Sequence, residues 1–147
     1  MHINIVSNNW RRLADFYQAV FGCFPLPPER NLSGKWVDEA TGVNNAQITG
    51  IHLRLPGFGE VGPTLEIFQY NNIAEADGKP INRSGFAHIA FEVKDVEETS
   101  RLVLSNGGTR IGNLSTRKIE GVGKITFAYL ADPEGNILEL QNWEKHV

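Results

Sequence analysis

The sequence predicts an α+β protein of two tandem βαβββ modules, and three observations carry that prediction. A strand-like run opening on a histidine leads into a capped helix twice, once from His2 and once from His88. The punctuation of the two copies coincides: the presumed helix caps Asn9 and Asp95 both lie seven residues after their histidine, and Gly22 and Gly108 both lie twenty after it. Each copy then continues into further strand-like runs separated by turn-formers. Neither half alone could bury a sheet and a helix well, so the modules are expected to join in one curved mixed sheet around a shared concave face.

In chain order, His2-Ile3-Asn4-Ile5-Val6 reads as a strand, and Asn9 caps a helix from about Trp10 to Phe21 that Gly22 stops. Strand-like runs follow around Gly34 to Asp38, Gln47 to Leu55 and Thr64 to Tyr70. Pro56-Gly57 and Gly62-Pro63 mark turns, and the glycine-bearing run from Pro56 to Gly62 lacks the lysine of a phosphate loop, so it reads as a hairpin connection or flap. Asn71 to Gly85 is polar and holds Gly78 and Pro80, as a surface linker would. The chain is thus taken as a single domain, 1–147, with module 1 at about 1–70, the linker at about 71–85 and module 2 at about 86–147. In the second module His88 to Val93 is strand-like and Asp95 caps a helix from Val96 to Ser105. Runs at Thr109 to Gly112, Lys124 to Leu130 and Ile137 to Asn142 complete it, with Asp132-Pro133-Glu134-Gly135 as a turn.

Composition narrows the function. At 147 residues, with 41% hydrophobic and 21% charged residues, the chain matches an ordinary globular domain. A net charge of -3 leaves no basic stripe for phosphates, so nucleic acid is not expected as a partner. No apolar stretch reaches the roughly 18 residues that span a bilayer, and no signal peptide or anchor is recognised, so no membrane partner is expected. Cys23, the only cysteine, excludes an intrachain disulfide and fits a cytoplasmic setting. It has no visible activating partner and reads as a packing residue.

The chemistry lies in four side chains. Strand alternation puts His2 with Asn4 and Val6 on one face, and His88 with Ala90 and Glu92 on the corresponding face of the second copy. Glu66 stands between Leu65 and Ile67, and Glu139 between Leu138 and Leu140, so each carboxylate faces away from its apolar neighbours. A carboxylate inside an apolar strand costs several kcal/mol unless a cation or strong donors compensate it. Two imidazoles and two carboxylates are expected to converge on one divalent metal ion, and with no thiolate among them zinc, nickel, cobalt, manganese or iron would suit.

Over essentially its whole length the sequence resembles the vicinal oxygen chelate superfamily, which contains glyoxalase I, methylmalonyl-CoA epimerase, ring-cleaving extradiol dioxygenases and fosfomycin-modifying and bleomycin-resistance proteins. The residues that carry the resemblance are the opening histidine with Asp15-Phe16-Tyr17 and Val20-Phe21-Gly22, then Leu65-Glu66-Ile67, Phe86 to Phe91, and Ala131 to Asn136 leading into Leu138-Glu139-Leu140. The resemblance implies metal ligation by His2, Glu66, His88 and Glu139, with Glu139 or Glu66 doubling as the base that moves a proton beside a carbonyl. It implies a small-molecule substrate and a homodimer. A filled ligand set is similar to the lyases and isomerases of the glyoxalase and epimerase type; an extradiol-type dioxygenase and a non-catalytic drug-binding protein are the alternatives. Val6 stands where bacterial glyoxalase I carries an arginine that contacts glutathione, and Ala87-His88 stands where the epimerases show a double histidine.

Asn4, Phe68, Tyr129 and Gln141 are candidates to line the cup and touch substrate. His52 and His146 are assigned to solvent and given no role. Trp10, Phe16, Tyr17 and Phe21, at helical spacing, are expected in the helix-to-sheet core.

Overall fold

A computed structural model describes residues 1–74 and 78–145, and the chain divides into two compact units, Met1–Ala76 and Asp77–Val147. The architecture is α+β, with one mixed sheet in each unit, as two tandem βαβββ modules require.

The first unit runs β1 (His2–Val6), α1 (Trp10–Phe21), β2 (Phe24–Ser33), α2 (Lys35–Thr41), β3 (Gln47–Arg54) and β4 (Thr64–Tyr70), with strand order β1-β4-β3-β2. The helix α1 has the expected bounds because both ends are specified. The Asn9 side chain accepts from the Arg12 backbone N–H at 3.2 Å, and Gly22 adopts a left-handed φ of 67° that closes the last turn. Its apolar stripe, Trp10, Leu13, Phe16, Tyr17 and Val20, is buried against Leu53, Leu65 and Ile67 on one face of the sheet. Phe21 is half-buried at the stripe's end.

Residues 34–38, read as a strand, form instead the N-cap, Gly34, and the first turn of α2. Val37 is its one buried residue, Gly42 closes it with φ 72°, and the Asp38 carboxylate accepts the N–H groups of Asn45 and Ala46 at 2.8 and 2.9 Å. The strand that precedes it, β2, was hidden by Pro25, Pro27 and Pro28. It occupies the sheet edge, and its register with β3 breaks between Leu26 and Arg30, where prolines cost no ladder bonds.

The second unit runs β5 (His88–Glu92), α3 (Val96–Ser105), β6 (Thr109–Arg110), β7 (Ser115–Ile119), β8 (Gly123–Ala131) and β9 (Ile137–Lys145). Asp95 caps α3 by accepting from the Glu98 N–H at 2.9 Å. The run expected at Thr109 to Gly112 shrinks to two residues, and β7 was not foreseen. All five of its residues are exposed, so no apolar alternation marks it; pairing with β8 and a 3.0 Å hydroxyl contact between Thr116 and Thr126 hold it. Because β6 and β7 pair with successive parts of β8, they serve together as the counterpart of β2. In both units the first strand runs parallel to the last, β1 beside β4 and β5 beside β9. Among the described residues no helix is long and apolar enough to cross a membrane.

Candidate functional site

Register fixes which side chains share a face. In the first unit Asn4, Glu66 and His52 form one cross-strand row, since Asn4 pairs with Glu66 and Glu66 with His52. Leu65 and Ile67, on the opposite face, are fully buried beneath α1, which pins β4 and so aims Glu66 away from the core. The Glu66 carboxylate is only 13% exposed and well supplied with donors. The His52 Nε2 lies 2.8 Å from its Oε1, the Asn4 Nδ2 donates to its Oε2 at 2.8 Å, and the His2 Nε2 lies 3.7 Å from that same oxygen. The His2 side chain is about half exposed, at 56%.

His52 therefore does not point to solvent. Once Ile51 and Leu53 are assigned to the core face, alternation sends His52 to the face of Glu66, and the repeat sets it opposite Glu66 as Tyr129 is set opposite Glu139. That signal was present in the sequence, in the Ile51-His52-Leu53-Arg54-Leu55 alternation. Burial pushes the His52 imidazole below its ordinary pKa, with Arg30 and His2 acting in the same direction and Glu66 opposing them. The contacts suit a neutral ring: Nε2 donates to Glu66, and Nδ1 accepts from the Thr64 hydroxyl at 3.3 Å. His146 lies outside the described residues.

The second unit repeats the arrangement. The His88 Nε2 sits 3.0 Å from the Glu139 Oε2, and the Glu139 side chain is 14% exposed. Leu138 and Leu140 are fully buried on the opposite face and hold β9 in this register. Tyr129 stands directly across from Glu139 in the register, and its ring packs on His88 with centroids 5.3 Å apart. Burial, and then the charge of Glu139, pushes the Tyr129 hydroxyl above its usual pKa, so it stays a donor. Phe68 and Gln141 lie on the same faces as Glu66 and Glu139; Phe68 packs edge-on to His52, and Gln141 accepts from the Trp143 indole N–H at 3.2 Å.

Imidazole nitrogen and carboxylate oxygen without thiolate form a donor set that fits a divalent ion. Two ligands about 2.1 Å from an ion and at right angles to each other stand about 3.0 Å apart. The His88 to Glu139 contact of 3.0 Å matches that bite, whereas the His2 Nε2 stands farther from Glu66, at 3.7 Å. Among the described residues no three His, Cys, Asp or Glu side chains converge in a geometry that could hold an ion; Glu66 turns one oxygen to His2 and the other to His52. Cys23 is buried and its thiol is pushed up to about 12 by burial, in keeping with a packing role.

The sequence profile of the glyoxalase/bleomycin resistance protein/dioxygenase superfamily matches residues 1–140. The chain belongs to this superfamily. Its fold is that of a glyoxalase family protein from Bacillus cereus, which is 18% identical with a TM-score of 0.76 over 97% of this chain and 91% of that one. A glyoxalase family protein from Enterococcus faecalis is 25% identical, with a TM-score of 0.58 over 95% and 94%. The fosfomycin resistance protein FosX from Listeria monocytogenes is 15% identical, with a TM-score of 0.61 over 98% and 92%. No protein of curated function matches the chain.

Proposed function

We propose that this superfamily member is a divalent-metal-dependent lyase or isomerase of the glyoxalase and epimerase type, moving a proton next to a carbonyl on a small metabolite. The observation that carries this reading is the repeated His–Glu pair, His2 with Glu66 and His88 with Glu139, one on the exposed face of each sheet. In this reading His2, Glu66, His88 and Glu139 hold one ion, contributed by one chain or exchanged between two copies in a homodimer. The ion, when bound, supplies a Lewis acid for two neighbouring substrate oxygens.

The chain's own residues do the rest. Glu139 or Glu66 takes and returns the proton, each on a strand pinned from the opposite face by buried leucine and isoleucine side chains. His88 contacts Glu139, and Asn4 and His52 contact Glu66, so each carboxylate keeps a defined orientation. Gln141 and Phe68, one position pair further along the same faces, are set to touch substrate.

The test is proton exchange. The cobalt-loaded protein, incubated in D2O with 2-hydroxyacetophenone, is expected to exchange the hydrogens beside the carbonyl, followed by NMR. Glu139→Gln and Glu66→Gln should slow that exchange by about 100-fold or more. Exchange no faster than buffer, or oxygen uptake with catechol in its place, would overturn the reading.

A further inference from the structure

We propose that a recess between α2 and β4 receives an uncharged, apolar body of the substrate, so that the substrate class is a neutral aryl or alkyl compound bearing two neighbouring oxygens. This rests on the reading that substrate oxygens are held at Glu66. The recess has a volume of about 240 Å³ and is lined by Asn4, Glu66, Phe68, Trp36, Leu32 and Tyr70, among others, all within the first unit. By comparison, an apolar cavity of about 150 Å³ accepts benzene, so this one holds a ring with substituents.

Its walls are apolar in function as well as in composition. Val37 and Ile48, both buried, form its floor with Phe68 and Tyr70 packed against them. Gly50 lets the Phe68 ring lie across the sheet, because a Cβ there would come within 2.7 Å of the Phe68 Cδ1. Of the polar lining groups, the Asn4 amide donates to Glu66, and the Thr41 hydroxyl donates to the Val37 carbonyl at 2.8 Å while accepting from the Val43 N–H at 3.2 Å; Trp36 and Tyr70 add an indole N–H and a hydroxyl to otherwise apolar rings. Glu66 is the one charged residue among the lining, and it is negative. The lining offers no cationic side chain to a carboxylate or phosphate on that body, which would face the Glu66 carboxylate instead.

Trp36 supplies the second argument. It is 60% exposed, and Val37 alone anchors α2, so packing gives no account of an indole at this position. At the mouth of the recess it offers a flat apolar wall to a bound ring. A larger recess, about 300 Å³, lies beside Gly22, Phe24, Arg54 and Glu60 and touches neither site carboxylate.

The experiment compares three probes on chelator-treated, full-length protein: 1-phenyl-1,2-ethanediol, mandelate, and 1,2-propanediol. The first is neutral with an apolar ring, the second adds an anion, and the third lacks the ring. Binding is read from the Trp36 indole N–H in two-dimensional NMR, identified by its loss in Trp36→Phe. The expected result is saturable movement of that signal by the phenyl diol at concentrations about tenfold or more below those needed for the other two. Trp36→Ala and Ala40→Trp, both at exposed positions, should each weaken the phenyl diol about tenfold with an unchanged melting temperature, followed by ligand-observed NMR. Mandelate binding as well as the diol, or both variants binding as the parent does, would overturn the inference. Because these titrations are metal-free, their failure is distinct from failure of the metal reading, which would show as unchanged metal content in Glu66→Ala.

Discussion

At the scale of single residues, His52 and Glu66 show how a strand pair builds a site. His52 reaches Glu66 at 2.8 Å and is held from behind by Thr64, so it fixes the direction of the carboxylate's second oxygen. Groups that orient a ligand from behind typically change metal affinity 10–100-fold when removed. His52→Ala should therefore weaken divalent-ion binding by about that range in a chelator competition titration, and His52→Gln, which keeps a donor, should recover part of it; unchanged affinity in both would remove His52 from the account. The four proposed ligands were legible because each sits on a strand whose neighbours alternate apolar and polar. His52 differs in that its face follows only once Ile51 and Leu53 are known to occupy the core. Cys23 offers a second test. Its thiol is pushed up to about 12 in the fold, above the roughly 8.5 of an unfolded chain, so the stability it contributes is complete below about pH 8.5 and is lost as the pH rises toward 12. A thiol reagent at pH 8 should leave the native protein unlabelled while labelling the unfolded chain fully, and prompt labelling of both would contradict the burial.

At the scale of elements, local punctuation decided what could be foreseen. The helices α1 and α3 matched expectation because Asn9 and Asp95 cap them with side-chain oxygens, and Asn9→Ala or Asp95→Ala should each cost about 1 kcal/mol in denaturant unfolding. The long strands β3, β4, β8 and β9 were legible from their alternation and turns. By contrast, β2 carries three prolines, β7 has no buried residue, and α2 is seven residues long with one buried anchor, too short for a helical period to show. The turn between β8 and β9 is held more firmly than its sequence suggests. Asp132, 2% exposed, accepts from the backbone N–H groups of Glu134 and Asn136, both at 2.9 Å, and from the Asn136 side chain at 2.8 Å. Asp132→Ala leaves those donors unpaired and should cost about 2–4 kcal/mol, read from the shift in unfolding midpoint; a loss under 0.5 kcal/mol would mean that the turn stands without it.

At the scale of the whole molecule, the duplication is what gives the chain two similar carboxylates, each above a buried strand core and each with an imidazole close by. Superfamily membership and fold follow from that repeat and from the profile match over residues 1–140. If the chain pairs as proposed, light scattering on the purified protein should give twice the 16.3 kDa chain mass. The central claim is that two imidazoles and two carboxylates, one of each per unit, hold one divalent ion. Metal content of the purified protein by elemental analysis, beside Glu139→Ala and His88→Gln, tests it most directly. Close to one ion per chain is expected in the parent, with most of it lost in both variants. Equal metal content in all three would contradict it.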